Sequence, residues 1–395
     1  MPSAVSVRER SFPLGAAVTL DQLDGDPHAI LARLRAREPV SWLPALNGWL
    51  VTRYDDAVAV MRDPDRFTVA DPRFSTGQVL GPSMLSLDGV EHARHRAPFV
   101  APFRARAVRQ TFASDAAAEA ARLVDRLERS SAGELRRGFA GPLAAAIMGR
   151  ALGLRRGEEE AVLRWYDAIV GAVTAITAGR AVTTDGRAAF QQLRTYLLGA
   201  IEQGPADSLL AGMAAHPGLA PDEIVSNTAV LLFGGVETTE GMISNALLEL
   251  LVRPELVQAA RTDQRLLAAA IEESLRLEPA ASVIDRYTTE PVSLRGASIA
   301  AGELVRVSIA AANRDPSVFA DPDSFDLHRA NSRRHLAFAQ GGHVCLGIHL
   351  ARLEAQTGLA VLLGRLGRLR LDPARPVTVR GIVFRKPAAV HALWD

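Results

Sequence analysis

Phe338 to Gly347, FAQGGHVCLG, holds the single cysteine of the chain, Cys345. Glycines stand at 341, 342 and 347, and His343 lies just ahead of the cysteine. A helical pattern, Leu346 to Leu363, begins immediately afterwards. A thiol at a helix start sits in the positive end of the helix dipole, which favours thiolate over thiol. Glycines allow close backbone approach and the positive φ angles of a tight loop. Three chemistries fit such a loop. The cysteine could be an inert buried side chain. It could be one ligand of a zinc site with His343 and His349, although no second Cys/His cluster completes a usual set. It could ligate haem, which needs only one thiolate.

Other spacings carry chemistry of their own. Phe233-Gly234-Gly235-Val236-Glu237-Thr238-Thr239 lies inside a long helical pattern, where two glycines together cost about 2 kcal/mol of helix propensity. Close helix packing would account for the glycines but not for the acid beside the threonine. A helix opened where a flat cofactor or small ligand presses on it would account for both. Glu273 and Arg276 are spaced to pair on one helix face, although most such pairs are solvated surface. His92 and Arg96 likewise share a helix face.

The elements that must position these residues are mostly helical. Pro27–Arg37 and Asp55–Arg62 read as helices, and Val40–Leu43 and Trp49–Thr52 read as strands joined at Asn47-Gly48, a strong hairpin signal. Phe67–Asp88 has no period and reads as a long loop, a kind of segment that is usually functional. Helical patterns fill Gly89 to about Arg150, with interruptions at Pro98, Pro102 and Gly141, and continue over Glu158–Ala178 and Val182–Glu202. Gly204-Pro205 and His216-Pro217-Gly218 mark breaks. Pro221 opens a helix to Val252, closed by Pro254. Ala268–Leu277 is helical, Ser282–Val307 alternates as strands, Asn313–Arg334 is irregular, and Leu369–Trp394 reads as short strands. The expected class is mainly α with small β-sheets, without a linker long enough to separate domains.

Composition sets the outer limits. The 395 residues are 48% hydrophobic and carry a net charge of +1, so a large core is available and no nucleic-acid field is implied. Lys386 is the only lysine, which reads as the codon bias of a GC-rich genome. One cysteine excludes an internal disulfide and fits a reducing compartment. No apolar run approaches the ~20 residues of a membrane helix, and the N-terminus has no run suited to a signal peptide. These features point to a cytoplasmic protein without a membrane anchor.

Taken together, the strings resemble the cytochrome P-450 family. Phe338, Gly341, His343, Cys345 and Gly347 match its cysteine loop. Ala339 stands where bacterial members often carry glycine, a small departure. Gly234 to Thr238 resembles its oxygen-activation motif, Glu273 and Arg276 its Glu-x-x-Arg element, and DGVEHARHR its His-x-x-x-Arg haem-contact element. The resemblance implies a single domain over 1–395, a triangular, helix-rich prism binding haem b (iron protoporphyrin IX). Cys345 would be the axial ligand. His92, Arg96, Arg286, Phe338, His343 and Gly347 would contact the cofactor, and Glu237 and Thr238 would relay protons during oxygen activation. Glu273, Arg276 and Arg329 would form a buried trio holding the cysteine loop. The substrate pocket would take Met84, Leu85, Val230, Phe233, Gly234, Val283, Ile284 and Val383, all but the glycine distinctly apolar, which suggests a lipophilic substrate.

The implied activity is that of a soluble haem-thiolate monooxygenase, acting as a monomer. It would insert one atom of O2 into an organic molecule in natural-product biosynthesis or xenobiotic catabolism. Hydroxylation, epoxidation and O-demethylation are all within its reach. A single cysteine cannot hold an iron–sulfur cluster, so electrons would come from a ferredoxin and its NAD(P)H-dependent reductase. Arg94, Arg104, Arg106 and Arg109 are candidates for docking that partner. Two alternatives stay open: a peroxide-driven peroxygenase, and a haem-binding sensor or recruitment module without turnover.

Overall fold

The computed structural model describes residues 7–154, 157, 159–177, 179–203, 208–216 and 218–395. The breaks expected at Gly204-Pro205 and at Pro217 lie outside the described residues. Contacts divide the chain into two compact units. The first contains the described residues through Asp71, with Glu273–Val344 and Val379–Lys386. The second contains those of Pro72–Glu272, Cys345–Thr378 and Pro387–Asp395. Helices dominate and the sheets are small, as the sequence pattern predicts.

The first unit is built on a five-stranded sheet in the order Val40–Leu43, Gly48–Val51, Leu304–Ser308, Val283–Thr288, Phe67–Thr68. Gly48–Val51 and Leu304–Ser308 pair parallel, and the other pairs are antiparallel. The strand Gly48–Val51 is buried on both faces because its side chains alternate between two cores. Trp49 and Val51 pack with Val305, Val307, Phe319 and Leu336, whereas Leu50 packs with Leu31, Leu34 and Leu43. The hairpin forms at Asn47-Gly48, with Asn47 left-handed at φ 47°. Its connection is wider than a two-residue turn, because Pro44–Leu46 adds a turn of 3-10 helix.

A buried ionic trio anchors this unit. Arg276 donates from Nε and an Nη to the two oxygens of Glu273 at 2.8 and 2.7 Å, and Arg329 Nε reaches Glu273 Oε1 at 2.8 Å. Arg276 also donates to the carbonyls of Asn313, Pro322 and Ser324, so its guanidinium is saturated. Asn313 in turn accepts the Leu336 N–H at 2.7 Å, two residues before Phe338. The trio thus reaches the start of the cysteine loop through Asn313, a residue the sequence pattern does not single out.

The second unit is helical. Its central helix, Pro221–Leu251, is 31 residues long. Pro221 opens it, and Glu223 turns back to accept the Ala220 N–H at 2.8 Å. Gly141–Leu152 packs against it, and Ala105–Leu127 packs on Ile348–Arg365. The segment 67–88 is not the unbroken loop its composition suggests. Ser75–Leu80 is a short helix that buries Thr76, Val79 and Leu80. Tertiary burial stabilises helix there in a stretch whose Pro, Gly and Ser content argues against it. Among the described residues, no helix is long and apolar enough to cross a membrane.

Burial works to raise the Glu273 carboxyl, but the hydrogen bonds from Arg276 and Arg329 outweigh it and hold the group below the usual carboxylate range. A depressed value gives stability that is fully present above the unfolded value, about pH 4.3, and is lost as pH falls through the folded one. Arg276→Ala should therefore lower stability by roughly 3–5 kcal/mol at neutral pH, read as the shift in urea midpoint at constant slope. Glu273→Gln should flatten the acid limb of stability against pH. A shift below about 1 kcal/mol for Arg276→Ala would remove the trio as an anchor.

Candidate active site

Burial of the central helix is continuous from Ile224 to Leu247 except at Gly234, Gly235 and Thr238. Those three positions form one accessible turn on an otherwise enclosed helix. The two glycines do different work. A Cβ on Gly235 would come within 2.1 Å of the Met148 methyl, so that glycine lets the Gly141–Leu152 helix pack closely. A Cβ on Gly234 would meet nothing within 4 Å, so that glycine faces open space.

The helix is not opened at this turn, contrary to the expectation from the paired glycines; it runs unbroken through it. Thr238 Oγ1 donates to the Gly234 carbonyl at 2.5 Å, which satisfies the hydroxyl without breaking the helix. Glu237 is buried at 2% exposure and points about 100° away from Thr238 on the helix. It bears electrostatically on Arg137, as does Glu240. Glu240, absent from the sequence reading, is fully buried and pairs with Arg136 Nε at 3.1 Å and Arg137 Nε at 3.4 Å. Arg137 also reaches the exposed Asp167 at 2.6 Å.

Cys345 is half-buried in the second unit, just before the Ile348–Arg365 helix. Desolvation pushes its thiol up. The backbone N–H groups of Gly347 and Ile348 and the charges of Arg96 and Arg352 pull the other way without prevailing. The helix start therefore favours thiolate less than its sequence implies. Arg352 is itself tied to buried Glu272 by a bidentate pair at 2.6 and 2.7 Å. Arg96 lies close enough to Cys345 for the two to interact, and burial lowers its own affinity for the proton. His92, one turn earlier on the Gly89–Val100 helix, is buried.

The loop from Phe338 to Val344 belongs to the first unit. Gly341 has φ +75°, and a Cβ there would lie 2.5 Å from the Met61 carbonyl oxygen, so no other residue fits. Ala339 also sits in the left-handed region, at φ +58°, where a Cβ costs about 1–2 kcal/mol. His343 ends a 3-10 turn, Gly341–His343, and Phe338 stacks at a tilt on His335 with centroids 5.7 Å apart. Arg286 is buried on its strand and donates to the Asp285 carbonyl at 2.9 Å. Among the described residues no three His, Cys, Asp or Glu side chains are grouped to hold a metal ion, so His343, Cys345 and His349 do not form a zinc set.

On the substrate side, Met84, Leu85, Val230, Phe233 and Gly234 belong to the second unit. The Met84 N–H is held by the Asn227 side chain at 2.7 Å. In the first unit the Ser282 N–H donates to the Val383 carbonyl at 2.8 Å, which brings Val283 and Val383 near one another. Ile284, partly buried, packs against the core around Trp49 and Val307. Val283 instead lines a small cavity with Leu31, Leu50 and Ile382. Arg94, one of the docking candidates, is paired with Glu91 and Glu223, each at 2.6 Å.

A half-buried thiol flanked by guanidinium groups, and an accessible glycine-bearing turn on a buried helix in the same unit, together fit a flat anionic cofactor ligated by sulfur. That combination defines a haem-thiolate protein. A family model for cytochrome P450 matches residues 199–378. The chain is 35% identical to nocardicin C N-oxygenase of Nocardia uniformis subsp. tsuyamanensis, over 98% of each protein. It is 34% identical to cytochrome P450 107B1 of Saccharopolyspora erythraea, covering 89% of this chain and 90% of the relative. The solved structure of cytochrome P450 CYP109Q5 from Chondromyces apiculatus superposes with a TM-score of 0.85 at 30% identity, over 95% of this chain and 97% of that one. The chain belongs to the cytochrome P450 family; it is an oxidoreductase whose cofactor is haem b.

With Cys345 as the ligand, the reduced carbon monoxide complex should absorb near the wavelength that gives the family its name. Cys345→His should retain haem and lose that band. A variant with bound haem and an unchanged spectrum would reject the assignment.

Proposed function

We propose that the protein is a monooxygenase that oxidises a small-to-medium lipophilic molecule with O2, using electrons from a separate ferredoxin and its NAD(P)H-dependent reductase. The observation that carries this reading is the accessible turn Gly234–Thr238 with a buried acid beside it, in the unit that also contains Cys345. A haem-binding module without turnover has no use for a carboxylate and a hydroxyl at that place. The similarity to a nocardicin C N-oxygenase favours a role in natural-product tailoring. We take both units as one catalytic domain, since each unit is assembled from several separated stretches of chain, and we take the protein to act as a cytoplasmic monomer.

Haem, when bound, supplies the iron at which dioxygen is activated. Cys345 would ligate it, and Arg96 and His92 would receive a propionate. Arg286 and His343 keep the propionate roles that the family resemblance implies. The Thr238 hydrogen is committed to the Gly234 carbonyl, so Oγ1 meets the open space as an acceptor. It can hold a water or a protonated group there, and it donates only after releasing Gly234. Glu237 lies away from that space beside Arg137 and Glu240. Its carboxyl must swing on its side-chain torsions to recharge Thr238 with a proton from solvent.

For the electron donor, Arg104, Arg106 and Arg109 are exposed. Arg109 and Arg352 both act on His349, whose basicity is lowered first by burial and then by these two charges. His349 follows Cys345 by one helical turn, so this basic surface lies on the thiolate side of its unit.

Thr238→Ala should leave haem and substrate binding nearly intact while diverting reducing equivalents to peroxide. Glu237→Gln should slow turnover more than it uncouples it. Product and peroxide formed per NAD(P)H consumed measure both effects. Unchanged coupling and rate in both variants would overturn the proton-delivery roles, and full turnover on peroxide alone would favour a peroxygenase. Separately, Arg109→Glu should slow association with an acidic ferredoxin, and the wild-type rate should fall steeply with salt. A rate indifferent to salt would remove electrostatic docking.

A further inference from the structure

Ser83 to Leu85 runs just ahead of the Gly89–Val100 helix, and its position depends on one buried amide. Asn227, fully buried on the central helix, accepts the Met84 N–H through Oδ1 at 2.7 Å. Its Nδ2 donates to the Glu223 carbonyl at 2.7 Å and faces His95 Nδ1 at 2.9 Å. The orientation of this amide is fixed twice over. A backbone N–H can only donate, so the atom facing Met84 is oxygen. A backbone carbonyl can only accept, so the atom facing Glu223 is nitrogen.

That constraint dictates the state of His95, whose ring is 1% exposed. Facing an NH2 group, Nδ1 must be an unprotonated acceptor. The ring hydrogen then resides on Nε2, directed at Glu223 Oε1, 3.3 Å away. Arg94 closes the network from outside. Its guanidinium bonds Glu91 and both oxygens of Glu223, and passes 3.1 Å from His95 Nε2. The hydrogen bonds from Arg94 and from the Ala220 N–H push the Glu223 carboxyl down to about 2, so it stays ionised. The charged groups around His95 are therefore Arg94 and Glu91 on its own helix and Glu223 on the central helix. The neighbouring helix Leu209–Ala214 has no titratable residue.

We propose that Asn227, held in one orientation by Met84, Glu223 and His95, is the positioning residue for the Met84–Leu85 segment and through it sets the affinity of the substrate pocket. Rotation of the amide would surrender the bonds to both Met84 and Glu223. The pocket role of Met84 and Leu85 rests on the function proposed above; the latch itself does not.

The test is hydrogen exchange at the Met84 amide in the holo-protein, corrected for intrinsic rates, with 4-phenylimidazole binding measured spectroscopically in parallel. Asn227→Leu should reduce protection at Met84 about tenfold, the loss of one buried hydrogen bond, and weaken 4-phenylimidazole binding several-fold. Unaltered protection in a folded Asn227→Leu protein overturns the latch. Lost protection with unaltered 4-phenylimidazole affinity overturns the pocket role and leaves the latch as scaffold only. The thiolate spectrum of the same samples reports independently on the haem-thiolate reading.

Discussion

Burial of the central helix is the constraint on which the second unit depends. Between Ile224 and Leu247 almost every side chain is enclosed, the polar ones included. Each of those polar groups needs a partner, since an unsatisfied buried group costs about 1–3 kcal/mol. Asn227 finds backbone and imidazole, and Glu240 finds two arginines. Glu237 shares the field of the second of these arginines. Within that stretch the turn at Gly234, Gly235 and Thr238 is left uncovered, and it is where a ligand can meet this part of the helix.

The first unit solves a different problem with the same means. Its irregular segment 313–336 has little secondary structure to satisfy its carbonyls. Arg276 and Arg329 supply donors to five of those carbonyls and hold Glu273 between them. A guanidinium suits this task because its five donors form a rigid fork and its charge does not titrate. Burying the charges is tolerable since each is paired and hydrogen-bonded at once. The order imposed on the segment ends at Leu336, where the left-handed Ala339 and Gly341 begin to shape the loop.

The sequence made the periodic and the locally spaced features legible. The central helix, the hairpin at Asn47-Gly48, the Glu273–Arg276 pair and the glycine-bearing cysteine loop all lie within a few residues of their own signals. What escaped depends on contacts between distant positions. His95 looks like one more histidine in a basic helix, and only its approach to Asn227, 132 residues away, gives it a task. Arg94 reads as a free surface cation until Glu223 is placed beside it. Glu240 looks like a solvated helix position until the packing of its face is known. The short helix at Ser75–Leu80 is a case where burial overrides a composition rich in helix breakers.

Cys345 shows how two local effects of opposite sign are resolved. The helix start brings the N–H groups of Gly347 and Ile348 to the sulfur, and Arg96 and Arg352 add positive charge. Removal of the thiol from water nevertheless outweighs all four. The dipole of one helix end is worth only about 0.3–1 kcal/mol for an exposed charge, whereas desolvation of an anion is several times larger. Metal binding to a thiol releases its proton in any case, and the N–H groups of Gly347 and Ile348 and the charges of Arg96 and Arg352 would then favour the anion that a bound iron requires.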